Sequence, residues 1–300
     1  MKLDNERESS NLEDRRGQGG GGGGGFPIGR AGGIGGFGLI AVVVVSLLFG
    51  VDPSVILAGL DGSGGIGGNA PATQQQQERS VASPPSDDPR VTFVSRILAS
   101  TEDVWTAEFA RSGRAYEAPR LVLFTGGVQS GCGAAQSAMG PFYCPNDQRV
   151  YIDLSFFREM EQRLGAPGEF ARAYVIAHEV GHHVQNQLGI LRTNQGQQAA
   201  GQREANAISV RTELMADCLS GFWARRAEEM RNILEDGDVE SGLGAAAAVG
   251  DDRLQSRGRG QVVPESFTHG SSAQRVRAFK TGMASPAFTG CTGGRAPGSN

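Results

Sequence analysis

The stretch EFARAYVIAHEVGHHVQNQLG, residues 169–189, decides how the chain is read. Phe170, Ala171, Tyr174, Val175, Ile176 and Ala177 make its first turns apolar nearly all round, the pattern of a mostly buried helix. Gly168 opens it and Gly189 stops it. On such a helix His178 and His182, at i and i+4, project from one face about one turn apart and can meet a single cation. Glu179 lies about 100° further round, too far to join them but able to reach a water on that cation. The chain has 4 histidines in 300 residues, so two of them bracketing a glutamate at this spacing is a specific signal. Solvated surface histidines would not sit among these neighbours, because unpaired ionisable groups in apolar surroundings are costly.

A catalytic zinc takes three protein ligands and keeps a fourth position open. The extended metzincin pattern would need glycine at 185 and histidine at 188, and Gln185 and Leu188 exclude it. Downstream, Glu213 and Asp217 stand four apart among Leu214, Met215, Leu219, Phe222 and Trp223, and buried acids want a cation. Glu213 is the expected third ligand, and Asp217 is placed to accept the spare N–H of a ligand imidazole. Glu204 competes for the third position, from a more polar stretch with no acid four residues later. A tetrahedral oxyanion needs a donor besides the metal. His269 and Tyr174 are the candidates, while His183, next to the ligand pair but rotated from it, reads either as a support behind the ligands or as structural.

The regions around this helix divide by composition. Residues 1–30 are charged and then glycine-rich, with too little apolar surface to offset ordering, and read as a disordered cytoplasmic terminus. Residues 31–51 carry no charge and, at about 1.5 Å per residue, match a hydrocarbon layer of roughly 30 Å, so a single transmembrane helix is expected in contact with the lipid bilayer. Lys2, Arg7, Arg15, Arg16 and Arg30 precede it and no basic residue follows until Arg79, which puts the N-terminus inside and everything later outside a bacterial inner membrane. Residues 52–88 have the composition of a flexible tether, 89–293 that of one globular domain, and 294–300 that of a disordered tail.

Within the domain, residues 89–113 suit an amphipathic helix, and 121–126 and 149–154 are short β-rich runs, with Phe142 and Tyr143 as a third strand. Ser155 is placed to cap the next helix, and a polar loop over 192–202 leads to a long helix from about Glu204 to Arg226. The order argues an α+β fold with a small sheet packed on the histidine helix. Cys132, Cys144, Cys218 and Cys291 form no C-x-x-C pair; Cys132–Cys144 with Cys218–Cys291 is the favoured of three connectivities and implies an oxidising compartment. The formal net charge of −4, with no basic stripe, excludes nucleic acid as a natural partner.

The pieces SSNLEDRRG, CPNDQRVYIDLSFF, HEVGHHVQ, ELMADCLSG and THGSSAQRVRAFKTG resemble the bacterial predicted neutral zinc metallopeptidase family along the whole chain, and the E-x-x-x-D downstream of H-E-x-x-H looks gluzincin-like. The resemblance implies a zincin-like domain with Zn2+ on His178, His182 and Glu213, and Glu179 as the catalytic acid. The expected function is hydrolysis of peptide or protein substrates by a zinc-activated water with Glu179 as general base and His269 at the oxyanion. The rival expectation keeps the zinc without turnover, as an envelope scaffold binding partners through its 192–203 loop.

Overall fold

The computed structural model describes residues 1–17, 87–197 and 201–296. The apolar segment 31–51 and most of the tether lie outside these residues. No described helix is long and apolar enough to cross a membrane.

The domain is mixed α+β. Its main sheet contains β1 (Leu12–Asp14), β2 (Arg120–Phe124), β5 (Phe142–Cys144) and β6 (Arg149–Asp153) in the order β1-β2-β6-β5. β1–β2 and β2–β6 are parallel and β5–β6 is antiparallel. A two-stranded hairpin, β3 (Gly127–Ser130) and β4 (Gly133–Gln136), extends beside it. The run RLVLF of β2 is apolar at successive positions because both faces are covered. Leu121 and Leu123 face the main core with Val150 and Ile152, while Val122 and Phe124 join Tyr151 and Cys144 in a smaller cluster.

The helices are α1 (Pro89–Arg111), α2 (Ser155–Gln162), α3 (Glu169–Gln187), α4 (Ile190–Gln197), α5 (Gln202–Arg231), α6 (Asp238–Ala248), α7 (Asp251–Arg259) and α8 (Ser272–Ala284). Asp88 caps α1 by accepting the Arg90 amide at 3.0 Å, with Pro89 in the first turn where its missing N–H costs nothing. A capping box of Ser271 and Gln274 starts α8. The histidine helix α3 is packed by α1, α5, α6 and the strand β5. α5 and α8 meet closely, because Gly221 lies against the Phe279 carbonyl and Gly282 against that of Cys218. Cys132–Cys144 ties the β3–β4 turn to β5, and Cys218–Cys291 ties α5 to the C-terminus.

Several expectations are corrected. Residues 1–17 are not disordered: β1 pairs in register with β2 (Leu12 with Leu121, Asp14 with Leu123), and Leu3 is buried in the core. Composition alone hides this because the stabilisation is polar and non-local. Glu102 on α1 accepts bonds from Arg7, Ser9 and Asn11, and Arg16 pairs with Asp88 at 2.8 Å. The folded unit therefore comprises 1–17 together with the domain starting at Asp87, and at the other end it continues through residues 294–296. Ser155 does not cap α2; its amide is instead bound by Asp153 at 2.8 Å. Residues 190–197, assigned in part to a polar loop, form α4.

Candidate metal centre

Helices α3 and α5 pass close enough to bring their side chains to one point. Gly181, between the two histidines, makes this possible: a Cβ there would lie 3.1 Å from the Ala216 carbonyl oxygen and 3.2 Å from its Cα. His178, His182 and Glu213 are buried, and one ligand atom from each lies within 4.8 Å of the others. The Nε2 atoms of His178 and His182 stand 3.1 Å from Glu213 Oε2 and 3.5 Å from Oε1, respectively. Tetrahedral zinc with bonds of about 2.0–2.1 Å separates its ligand atoms by about 3.3 Å, so this set of two imidazoles and one carboxylate fits the ion.

Both imidazoles are held by their far nitrogens. His178 Nδ1 lies 2.9 Å from Asp217 Oδ1, and His182 Nδ1 lies 3.0 Å from Gln185 Oε1. Each Nδ1 donates to its oxygen, which turns each Nε2 toward Glu213, where it can bind a metal once it carries no proton. Gln185 is in turn fixed by donating to the Thr212 carbonyl at 2.7 Å. Asp217, with no exposed surface, also accepts from Tyr174 Oη at 2.5 Å and from Arg275 Nε and Nη2 at 2.8 and 2.9 Å.

The charges fit a cation at this point. Burial opposes the charged form of His178, but its bonds to Asp217 and Glu213 outweigh that and raise its pKa to about 10. Burial likewise opposes ionisation of Glu213, yet His182, His269 and the His178 bond hold its carboxyl well below the ordinary range. A metal-free site thus holds a proton where two carboxylates favour positive charge. For Glu179 burial dominates and raises the carboxyl, with His178 and His182 offsetting part of the rise.

These groups line a cavity of about 200 Å³. Glu179 and His269 open onto it with the three ligand residues, and Met139, Pro141, Phe142, Phe156 and Val175 supply apolar wall. His269 is fastened by Asp251 at the start of α7, whose Oδ2 accepts the amides of Thr268, His269 and Gly270 while Oδ1 lies 3.3 Å from His269 Nδ1. Burial lowers the pKa of His269, but the charges of Glu213 and Asp251 raise it further than burial lowers it.

The structure brings together His178, Glu179, His182, Glu213, Asp217 and His269. Glu204 is elsewhere, exposed and 3.3 Å from Arg211, so it is no ligand. Tyr174 lines the cavity, but its hydroxyl is committed to Asp217. His183 is structural: Nε2 donates to the Glu117 carbonyl at 2.6 Å, and Nδ1 accepts from Tyr143 at 3.0 Å. Gln185, Asp251 and Arg275 were not singled out by sequence reasoning. Arg275 stands in THGSSAQRVRAFKTG, one of the pieces shared with the family, and that was the available signal.

Comparison with known proteins agrees with this geometry. The family model described as "Putative neutral zinc metallopeptidase" matches residues 1–293, and the chain belongs to that family. It is 49% identical over 285 residues to the uncharacterized protein YpfJ of Escherichia coli strain K12, covering 94% of this chain and 95% of that protein. It is 47% identical over 178 residues to the uncharacterized protein Mb2605 of Mycobacterium bovis, covering 56% and 59% of the two chains. No solved structure matches.

Proposed function

We propose that the chain is a zincin-like peptidase that hydrolyses peptide bonds at the His178–His182–Glu213 centre. The observation that carries this reading is the sharing of one cavity by the three ligand residues and Glu179. A structural zinc would be closed by a fourth protein ligand and would gain nothing from an adjacent carboxylate base. When bound, zinc supplies Lewis acidity to water and to the scissile carbonyl. Glu179 takes the proton of the attacking water and passes it to the leaving amine nitrogen. His269, held at Nδ1 by Asp251, presents its other ring nitrogen as a donor to the developing oxyanion. The membership in a metallopeptidase family supports the same reading.

The deciding experiment is Glu179→Gln in the full chain. Zinc stoichiometry should stay at the parental level while cleavage of a mixed peptide pool falls about 10²- to 10⁴-fold. Parental cleavage by this variant would sink the mechanism.

We further propose an extracytoplasmic, oxidising location for the catalytic domain, supported by the two disulfides, with residues 31–51 as the bilayer contact. The docking of residues 1–17 on the domain supports an N-terminus in that same compartment, rather than across the membrane from it. A chain whose two flanks share one face crosses a bilayer an even number of times or not at all. Glu8→Cys and Arg111→Cys, both at exposed positions, test this with a membrane-impermeant maleimide on intact spheroplasts. Equal labelling of the two is expected; labelling of Arg111→Cys alone would restore the opposite-side arrangement.

A further inference from the structure

The shared piece THGSSAQRVRAFKTG contains a buried charged residue that the proposed reaction does not use. Arg275 is a guanidinium only 4% exposed, on the buried face of α8, where it lines the same cavity as the ligand residues. Its Nε and Nη2 grip the two oxygens of Asp217 at 2.8 and 2.9 Å, the two-point geometry that only arginine supplies. Nη2 also donates to Tyr174 Oη at 3.1 Å, and Tyr174 in turn donates to Asp217. We propose that Arg275 is a positioning residue of the metal centre: through Asp217 it fixes the His178 ring with Nε2 toward Glu213. The inference rests on the zinc reading of the centre but not on peptide hydrolysis.

Orientation carries it. Asp217 Oδ1 receives three donors, from His178, Tyr174 and Arg275, and a carboxylate gripped from behind cannot rotate away from the imidazole it holds. With the His178 ring pinned at Nδ1, Nε2 is left 3.1 Å from Glu213. Arg275 also stands where it does not compete with the metal. Its Nη2 is 3.4 Å from His178 Nδ1, on the opposite edge of the ring from Nε2.

A purely structural role would be to hold α8 against α5, and the two roles separate by measurement. The zinc dissociation constant of the full chain is read by competition with a chromogenic chelator, alongside the melting temperature of the metal-free protein. Loss of an orienting partner in a metal site typically weakens binding about 10–100-fold, the change expected for Arg275→Met. Arg275→Lys keeps the charge without the two-point grip and should fall between parent and Arg275→Met. In an Asp217→Asn background, Arg275→Met should change zinc affinity by less than about threefold, because the route to His178 is already cut. Should Arg275→Met alone not fold, Arg275→Lys and the doubly neutralised variant still test the proposal. Parental zinc affinity in Arg275→Lys and Arg275→Met, with only the melting temperature lowered, would overturn it. So would an equal loss of affinity in both backgrounds, which would show Arg275 acting without Asp217. Cobalt(II) substitution adds a spectroscopic check: the visible band of the metal should shift in Arg275→Lys if His178 is reoriented, and an unchanged band would count against the proposal. A parent that binds zinc but cleaves no peptide leaves this inference standing and removes the proposed hydrolysis.

Discussion

Replacing Gly181 by alanine tests whether the approach of the two helices builds the metal centre. The added Cβ would lie 3.1, 3.2 and 3.4 Å from the carbonyl oxygen, Cα and Cβ of Ala216. Relaxed contacts between carbon atoms fall near 3.5–4.0 Å, so α3 and α5 must part by about 0.5 Å. His182 Nε2 and Glu213 Oε1 already stand 3.5 Å apart, at the upper edge of what tetrahedral zinc spans. A further half-ångström takes the carboxylate out of bonding range or forces its side chain off rotamer. Zinc affinity should therefore fall about tenfold or more, or at least ~1.4 kcal/mol. Stability should move much less. Alanine gains roughly 1 kcal/mol over glycine inside a helix, against an overpacking cost of about 1–3 kcal/mol. The net is about 0–2 kcal/mol, a lowering of roughly 0–8 °C for a domain of this size. Chelator competition and thermal melts of the metal-free protein give both numbers on one sample. Zinc affinity within about threefold of the parent would refute the claim that this close approach sets the ligand geometry.

Gly282→Ala places a methyl on the Cys218 carbonyl where α8 crosses α5, and overpacking of that kind should cost about 1–3 kcal/mol or more, seen as a lower melting temperature with or without zinc. His183 sets an acid limit. Burial lowers its pKa to about 4 from 6.5, so the unfolded chain binds the extra proton first. Its contribution is complete above pH 6.5 and is lost as the pH falls through 4, an effect on the order of 3 kcal/mol. Denaturant melts across that window should show the loss in the parent and a flatter profile in His183→Gln. Glu102→Ala removes the acceptor shared by Arg7, Ser9 and Asn11, and hydrogen exchange at residues 1–17 should accelerate at least tenfold while zinc affinity stays parental. Unchanged exchange there would mean that the strand pairing alone holds the segment.

What could be read from the sequence was whatever repeats along one helix or strand. The i, i+4 spacing of His178 with His182, and of Glu213 with Asp217, places each pair on one face whatever the helix packs against. The apolar runs of β2 and β6 were legible for the same reason, since burial on both faces leaves a local mark. The docking of residues 1–17 left no such mark. Those residues are polar, and their partners Glu102, Asp88 and the β2 edge lie some 70 to 110 positions away. A composition rule sees only the missing apolar surface and infers disorder. Gln185, Asp251 and Arg275 escaped for a related reason: each is one polar residue whose role exists only where separate helices converge on His182, His269 and Asp217. Periodicity, a local property of the backbone, thus determined which side chains share a face. Which faces meet, and how closely, was decided by tertiary packing at Gly181, Gly221 and Gly282, where missing side chains let helices approach to the distances a metal site requires.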